Sequence, residues 1–238
     1  MDNSNYENYI HVNSEDAARI QSAFINRVYS WMSTGLAVTG AVAWYLGTQK
    51  IEFILRHSNW FLPLMVVEVL LVMALGWMIN KISSFAAGAM FFVYSALNGV
   101  TLSWIFLAYQ IGSVANVFFV TCATFAGMSV YGYITKRDLT GIGSFCGMAL
   151  WGLIIAGIIN IFWHNDMAQF VISCFGVLVF VGLTAYDTQK IKQLAAASAE
   201  GDMDEENMKK TAVIGALQLY LDFINLFLYL LRLFGRRR

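Results

Sequence analysis

From Ser83 to Thr135 the chain runs for 53 residues without one Asp, Glu, Lys or Arg. A water-soluble domain must wrap its core in polar surface and cannot accommodate such a run. The stretches 28–49, 139–163 and 167–186 are likewise free of charge. Across all 238 residues only 13% are charged, 15 of each sign, against about a quarter in a soluble domain. The apolar and aromatic share is 58%. A soluble enzyme, a nucleic-acid binder and a secreted disulfide scaffold are excluded. The pattern is that of an all-α polytopic membrane protein.

A helix needs about 20 mostly apolar residues to cross a hydrocarbon layer of about 30 Å. Seven segments qualify as expected spans: 28–47, 60–80, 85–109, 114–135, 141–163, 167–187 and 211–234. The organisation expected is a polar amino-terminal segment over 1–24, a seven-helix domain over 25–235 and a basic tail over 236–238. The only long connection, 188–210, is polar and carries the acidic run 200–206. The amino terminus is acidic and lacks the basic start of a cleaved signal peptide, so the first span is expected to stay as an anchor. The Lys/Arg bias of short loops puts the amino terminus inside. That orientation gathers nine basic residues inside and leaves Lys50 and Arg56 outside with Arg232, Arg236, Arg237 and Arg238. A basic tail outside is anomalous. A last helix that re-enters, or that is surrounded by the others, would account for it.

Cys122, Cys146 and Cys174 all lie within spans at no ligand spacing, and His11, His57 and His164 lie outside them. No metal cluster can be composed from these, and no cofactor motif appears. Trp44, Trp60, Trp77 and Trp163 fall near span ends, where an interfacial belt belongs. Gly143 and Gly147 form a small-xxx-small pair suited to close helix contact.

The informative residues are acids placed where hydrocarbon should be, at a cost of about 2.5–3.5 kcal/mol each on insertion scales. Glu68 sits eight residues into the second span, Asp187 ends the sixth and Asp222 lies well inside the seventh. In the seventh span Gln218, Asp222, Asn225, Tyr229 and Arg232 recur at intervals of four and three, which aligns them on one stripe. Such a stripe, about 20 Å long, cannot face lipid, so this helix is expected at the centre of the bundle. Asp222 and Glu68 come to similar depth, about 16 and 12 Å from opposite surfaces.

Two readings of the acids stand side by side. In one they are structural groups, protonated or hydrogen-bonded, that fix helix packing. In the other they handle protons and cations: two close carboxylates cannot both ionise cheaply and tend to share a proton. When both are ionised they repel one another and attract a hard cation such as Ca²⁺. Pairing Asp187 with Asp222 meets a geometric objection, because Asp187 lies only three residues from Lys190, near the inner surface. The two meet only if the sixth helix ends below the interface with Lys190 snorkelling outward.

Leu183-Thr-Ala-Tyr-Asp-Thr-Gln-Lys190, Gly215-Ala-Leu-Gln-Leu-Tyr-Leu-Asp-Phe-Ile-Asn-Leu-Phe227 and Leu230-Leu-Arg-Leu-Phe-Gly235 together resemble the Bax inhibitor-1 family, most of all its bacterial inner-membrane members. The blocks 94–102 and 131–139 extend the resemblance over roughly residues 25–235. It implies a seven-helix bundle around the last helix, acting as a pH-sensitive calcium leak whose gate is a proton-sharing aspartate pair. Those aspartates fall on Asp187 and Asp222, which would meet Ca²⁺ transiently. The family's acid in the second helix falls on Glu68. Some members latch the pair with an arginine near the inner end of that helix. Lys81 is the nearest basic residue here, and it lacks the forked donor geometry of arginine.

The function expected is a passive, proton-gated cation pathway, with Ca²⁺ as the ion, in a bacterial inner membrane. Gln218, Asn225 and Glu68 would line the path, with Lys81, Tyr229 and Arg232 as latch or stripe partners. Its partners are the bilayer, Ca²⁺ and protons, with no nucleic acid. The alternative is a non-transporting regulator that binds another membrane protein, such as a membrane protease, through the amino terminus and the 200–206 segment. An enzyme is not expected. No His lies in a span and no Ser-Lys pattern appears. Only the Tyr186-Asp187 half of an intramembrane aspartyl protease motif is present.

Overall fold

The structure is a computed structural model that describes residues 14–199 and 204–238. Residues 1–13 of the polar amino-terminal segment and 200–203 of the acidic connection lie outside the described residues. Nine α-helices occur among those described: α1 Ser14–Gln49, α2 Ile51–Arg56, α3 Phe61–Met78, α4 Ser84–Leu102, α5 Ile105–Ala108, α6 Ile111–Ile134, α7 Thr140–Trp163, α8 Asp166–Ala199 and α9 Glu205–Phe234. Six helical segments are long and apolar enough to cross a membrane; α1 is not one of them. It has the length, but Ser, Thr, Gly and Tyr dilute the stretch 28–49. The protein is thus an all-α polytopic membrane protein.

The arrangement is a bundle around α9. This helix packs on α8, α1, α6 and α4, and two thirds of its most apolar window is buried inside the protein. Tyr220, Leu219, Leu226 and Leu231 are almost fully enclosed. By contrast α3 packs mainly on α4, and α7 on α8. Only 11% of the most apolar window of either outer helix is buried, and its bare Val, Ile, Phe and Trp side chains suit a lipid solvent. Trp44, Trp60, Trp77 and Trp163 are all exposed, as an interfacial belt requires.

Helix ends depart from the expected spans in four places, one of them the start of α9 at Glu205 rather than 211. Helix α1 begins upstream of residue 28, and its Phe24, Val28 and Met32 enter the core at four-residue spacing. The third span is not continuous: α4 stops at Leu102, and a turn through Ser103 and Trp104 leads into the short α5. Most consequentially, α8 does not end at Asp187 but continues to Ala199, burying Ile191, Ala195 and Ala199. A hydropathy criterion stops at the first charge, whereas a helix continues as long as one face stays apolar.

Short contacts hold the ends. Asp204 caps α9 through the Asn207 amide. Glu206 accepts from the Ser84 amide and hydroxyl at 2.6 and 2.8 Å, binding the start of α9 to the start of α4. In the α6–α7 loop, Asp138 accepts from the Thr140 hydroxyl and amide, which holds its carboxyl below the ordinary range. Gln110 donates to the Arg236 carbonyl and Arg238 to the Ala108 carbonyl, each at 3.0 Å, so the basic tail is strapped to the α5–α6 turn. Phe106 beneath Gly47 puts the end of α1 on the same face. The last helix is surrounded by α8, α1, α6 and α4, as its polar stripe led one to expect.

Candidate functional site

Because α8 continues past Asp187, that residue lies mid-helix, well before the helix end. The geometric objection to its pairing with Asp222 therefore falls away. Both side chains are buried, and their carboxyl groups meet within hydrogen-bonding range. Two carboxylates offer only acceptors, so this contact is a hydrogen bond only when one proton lies between them. The Oδ2 of Asp222 receives no hydrogen bond from any donor among the described residues. Lys190 on α8 and Cys146 on α7 are the charged or titratable neighbours of the pair.

The approach that makes this meeting possible rests on glycines. Gly132 of α6 lies so close to the backbone of Ala185 that a Cβ there would stand 2.9 Å from its C and Cα. On α9, Tyr229 lies over Gly176 of α8 and stacks on Phe180 at 5.8 Å. The expected Gly143–Gly147 pair divides: Gly143 seats the Tyr186 ring, while nothing lies near Gly147. Gln189 steadies the same stretch, accepting from the Leu139 amide at 2.9 Å and donating to the Arg137 carbonyl at 2.8 Å.

The other expected site residues divide around this pair. Glu68 is buried, although its helix α3 is one of the two most exposed of the bundle, and it accepts from the Thr101 hydroxyl at 2.5 Å. Its neighbours are the hydroxyls of Tyr94 and Tyr220. Tyr220 in turn meets Thr39 Oγ1 at 2.7 Å, and Asn98 donates to Tyr94 at 3.2 Å. Asn98 Oδ1 is buried without a partner among the described residues. The structure thus shows two buried polar clusters, one on each flank of α9. Asp222 turns to α8, and Tyr220 turns to α1, α4 and Glu68. Thr101, Asn98 and Gln189 escaped the sequence reading, since a lone neutral polar residue in an apolar run carries no distinguishing signal.

Along the stripe, Gln218 and Asn225 are half-buried. The Asn225 amide donates within its own helix to the Leu221 carbonyl at 2.8 Å. Arg232 is exposed, with its guanidinium 5.5 Å over the Tyr229 ring. Lys81 is also exposed, 5.7 Å over Trp77, and forms no ion pair with either aspartate among the described residues. The latch expected from Lys81 is therefore not formed. Nor do three or more His, Cys, Asp or Glu side chains gather into a metal-holding group among the described residues.

Residues 21–238 match the family model described as inhibitor of apoptosis-promoting Bax1. The inner membrane protein YbhL of Escherichia coli K12 is 43% identical over 217 residues, covering 90% of this chain and 92% of YbhL. A protein of Borreliella burgdorferi is 45% identical over 221 residues, covering 92% and 94% of the two chains. A third relative, from Deinococcus radiodurans, is 41% identical over 214 residues, covering 90% of each.

Proposed function

The chain belongs to the Bax inhibitor family, and from that premise we propose a passive, pH-sensitive cation leak in a bacterial inner membrane, gated by Asp187 and Asp222, with Ca²⁺ as the ion. The proposal includes seven crossings, with α1 as the first and the amino terminus inside, and no enzymatic activity. The observation that carries it is the buried meeting of the two carboxyls across the α8–α9 interface. One shared proton joins α8 to α9. As pH rises that proton leaves, two buried anions face each other, and the interface is driven apart while becoming attractive to a hard cation. Glu68, Gln218 and Asn225 are then assigned to the wall of the path and Ca²⁺ to its cargo, met transiently at the pair.

The test is Ca²⁺ entry into liposomes that contain only the purified protein, at about pH 6 and about pH 8, bracketing release of a shared carboxyl proton. Flux is expected to rise with pH in the wild type. Asp187→Asn and Asp222→Asn retain a hydrogen-bonding side chain but remove the titration, so each should flatten the profile. An unchanged profile in both variants would falsify the gate. Folded protein without flux at either pH would replace the leak by a non-transporting regulator of another membrane protein.

A further inference from the structure

Away from the acids, a cavity of about 570 Å³ opens between α1, α4 and α9 at the end where Glu206 binds Ser84. Its walls are divided by chemistry. Arg27 and Lys209 supply cations, while Trp31, Phe85, Phe92 and Val213 supply apolar surface. The cations mark the water boundary: Arg27 directly precedes the uncharged stretch that begins at Val28, and Lys209 stands two residues before the apolar run that begins at Thr211. Within the membrane from that boundary, Phe85, Ala89 and Phe92 lie on one face of α4 at helical spacing. Phe85 is 85% exposed, and Trp31 packs on Phe92 at 5.1 Å.

The charges do not cancel. Lys209 pairs with Glu205 at 2.6 Å, and Glu206 is held by Ser84 and approaches Lys210 at 4.0 Å. Arg27 is half-buried and forms no ion pair within 4.0 Å among the described residues. Around the cavity, among the described residues, the cations Arg27, Lys209 and Lys210 outnumber the acids Glu205 and Glu206, and Arg27 offers a guanidinium whose forked donors match phosphate oxygens. A cation at the membrane boundary above an apolar wall fits one occupant in particular. A free phosphate would leave the aromatic wall bare, and a zwitterionic lipid would bring a second cation to Arg27.

We propose that this cavity binds an anionic phospholipid, its phosphate on Arg27 with Lys209 beside it and its acyl chains along Phe85, Ala89 and Phe92. The lipid then bridges α1, α4 and the start of α9, the helix that carries Asp222.

The experiment is a lipid titration of the purified full chain in detergent, read by native mass spectrometry. The probes are phosphatidylglycerol, phosphatidylcholine and inorganic phosphate. Phosphatidylglycerol should bind more tightly than phosphatidylcholine. Arg27→Gln should weaken it roughly fivefold, the worth of one basic residue near an anionic membrane surface. Ala89→Leu, which fills the apolar wall without altering charge, should weaken both lipids. Lys50→Gln, at the opposite end of α1, should change nothing. Thermal unfolding in the same detergent verifies that each variant is folded, and if Arg27→Gln is not, Lys209→Gln and Ala89→Leu carry the test. Equal affinity for the two lipids overturns the proposal, as does a loss in Arg27→Gln no larger than in Lys50→Gln. Displacement of phosphatidylglycerol by inorganic phosphate alone would reassign the site to a free anion.

Discussion

Gly132→Ala tests whether the close approach of α6 and α8 is what seats Asp187 against α9. The added methyl would stand 2.9 Å from the C and Cα of Ala185 and closer still to its carbonyl oxygen. Carbon atoms prefer about 3.5–4.0 Å, so the two helices must separate by about 0.6 Å or more. The obstacle is backbone, which no rotamer change can relieve. Overpacking of this kind costs about 1–3 kcal/mol. Gly127→Ala, five residues earlier on the same helix, is the matched control, because nothing lies within 4 Å of its added methyl. Both substitutions gain the same helix preference of alanine over glycine, about 1 kcal/mol at most. The difference between them therefore isolates the clash. In a chain of this size about 1 kcal/mol corresponds to about 2–4 °C in the unfolding midpoint, so thermal unfolding in detergent should separate the two variants clearly. Ala185 lies two residues before Asp187, and Gly132→Ala should also make the pH profile of Ca²⁺ flux shallower. Equal unfolding midpoints for the two variants would refute the reasoning.

Two further outcomes follow from the hydrogen bonds. Thr101→Val removes the donor to buried Glu68 and should cost about 1–3 kcal/mol; adding Glu68→Met should recover most of the loss, and strictly additive losses would show that the bond contributes nothing. Gln189→Leu strips both partners from the α6–α7 loop, and amide exchange across 135–141 should quicken roughly tenfold while that of α9 stays unchanged.

Much of the architecture was legible because a membrane limits the choices so severely. Uncharged length located the six segments long and apolar enough to cross a membrane, and the four-three spacing from Gln218 to Arg232 marked the last helix as the central one. What escaped has a common cause. Thr188, Gln189, Lys190 and Lys192 make the segment after Asp187 read as a connection, yet Ile191, Ala195 and Ala199 repeat at four residues and keep α8 helical and buried there. That continuation decides whether Asp187 can reach Asp222. The glycine seats were invisible for a different reason. Gly132, Gly143 and Gly147 look alike in a sequence, and only the partner helix distinguishes a backbone contact from an open face.

The two flanks of α9 differ in what holds them. Toward α1 and α4, the Tyr220 hydroxyl meets Thr39, and its ring packs edge-on against Phe91 and Tyr94, each at 5.7 Å between centroids. None of these contacts depends on a proton that is lost near neutral pH. Toward α8, the polar contact at Asp222 is with another acid, and its sign follows protonation: attractive with one proton, repulsive with none. Apolar packing of Tyr229 on Gly176 and Phe180 supports that flank whatever the pH. On the proposed reading, a change in pH acts directly on the α8–α9 contact, whereas the acid of the other flank, Glu68, is bonded to Thr101 of α4 rather than to α9. The response most compatible with this asymmetry is movement of α8 away from a core formed by α9, α1 and α4. Because α7 packs mainly on α8 and stands at the lipid boundary, it can follow α8 outward without disturbing that core.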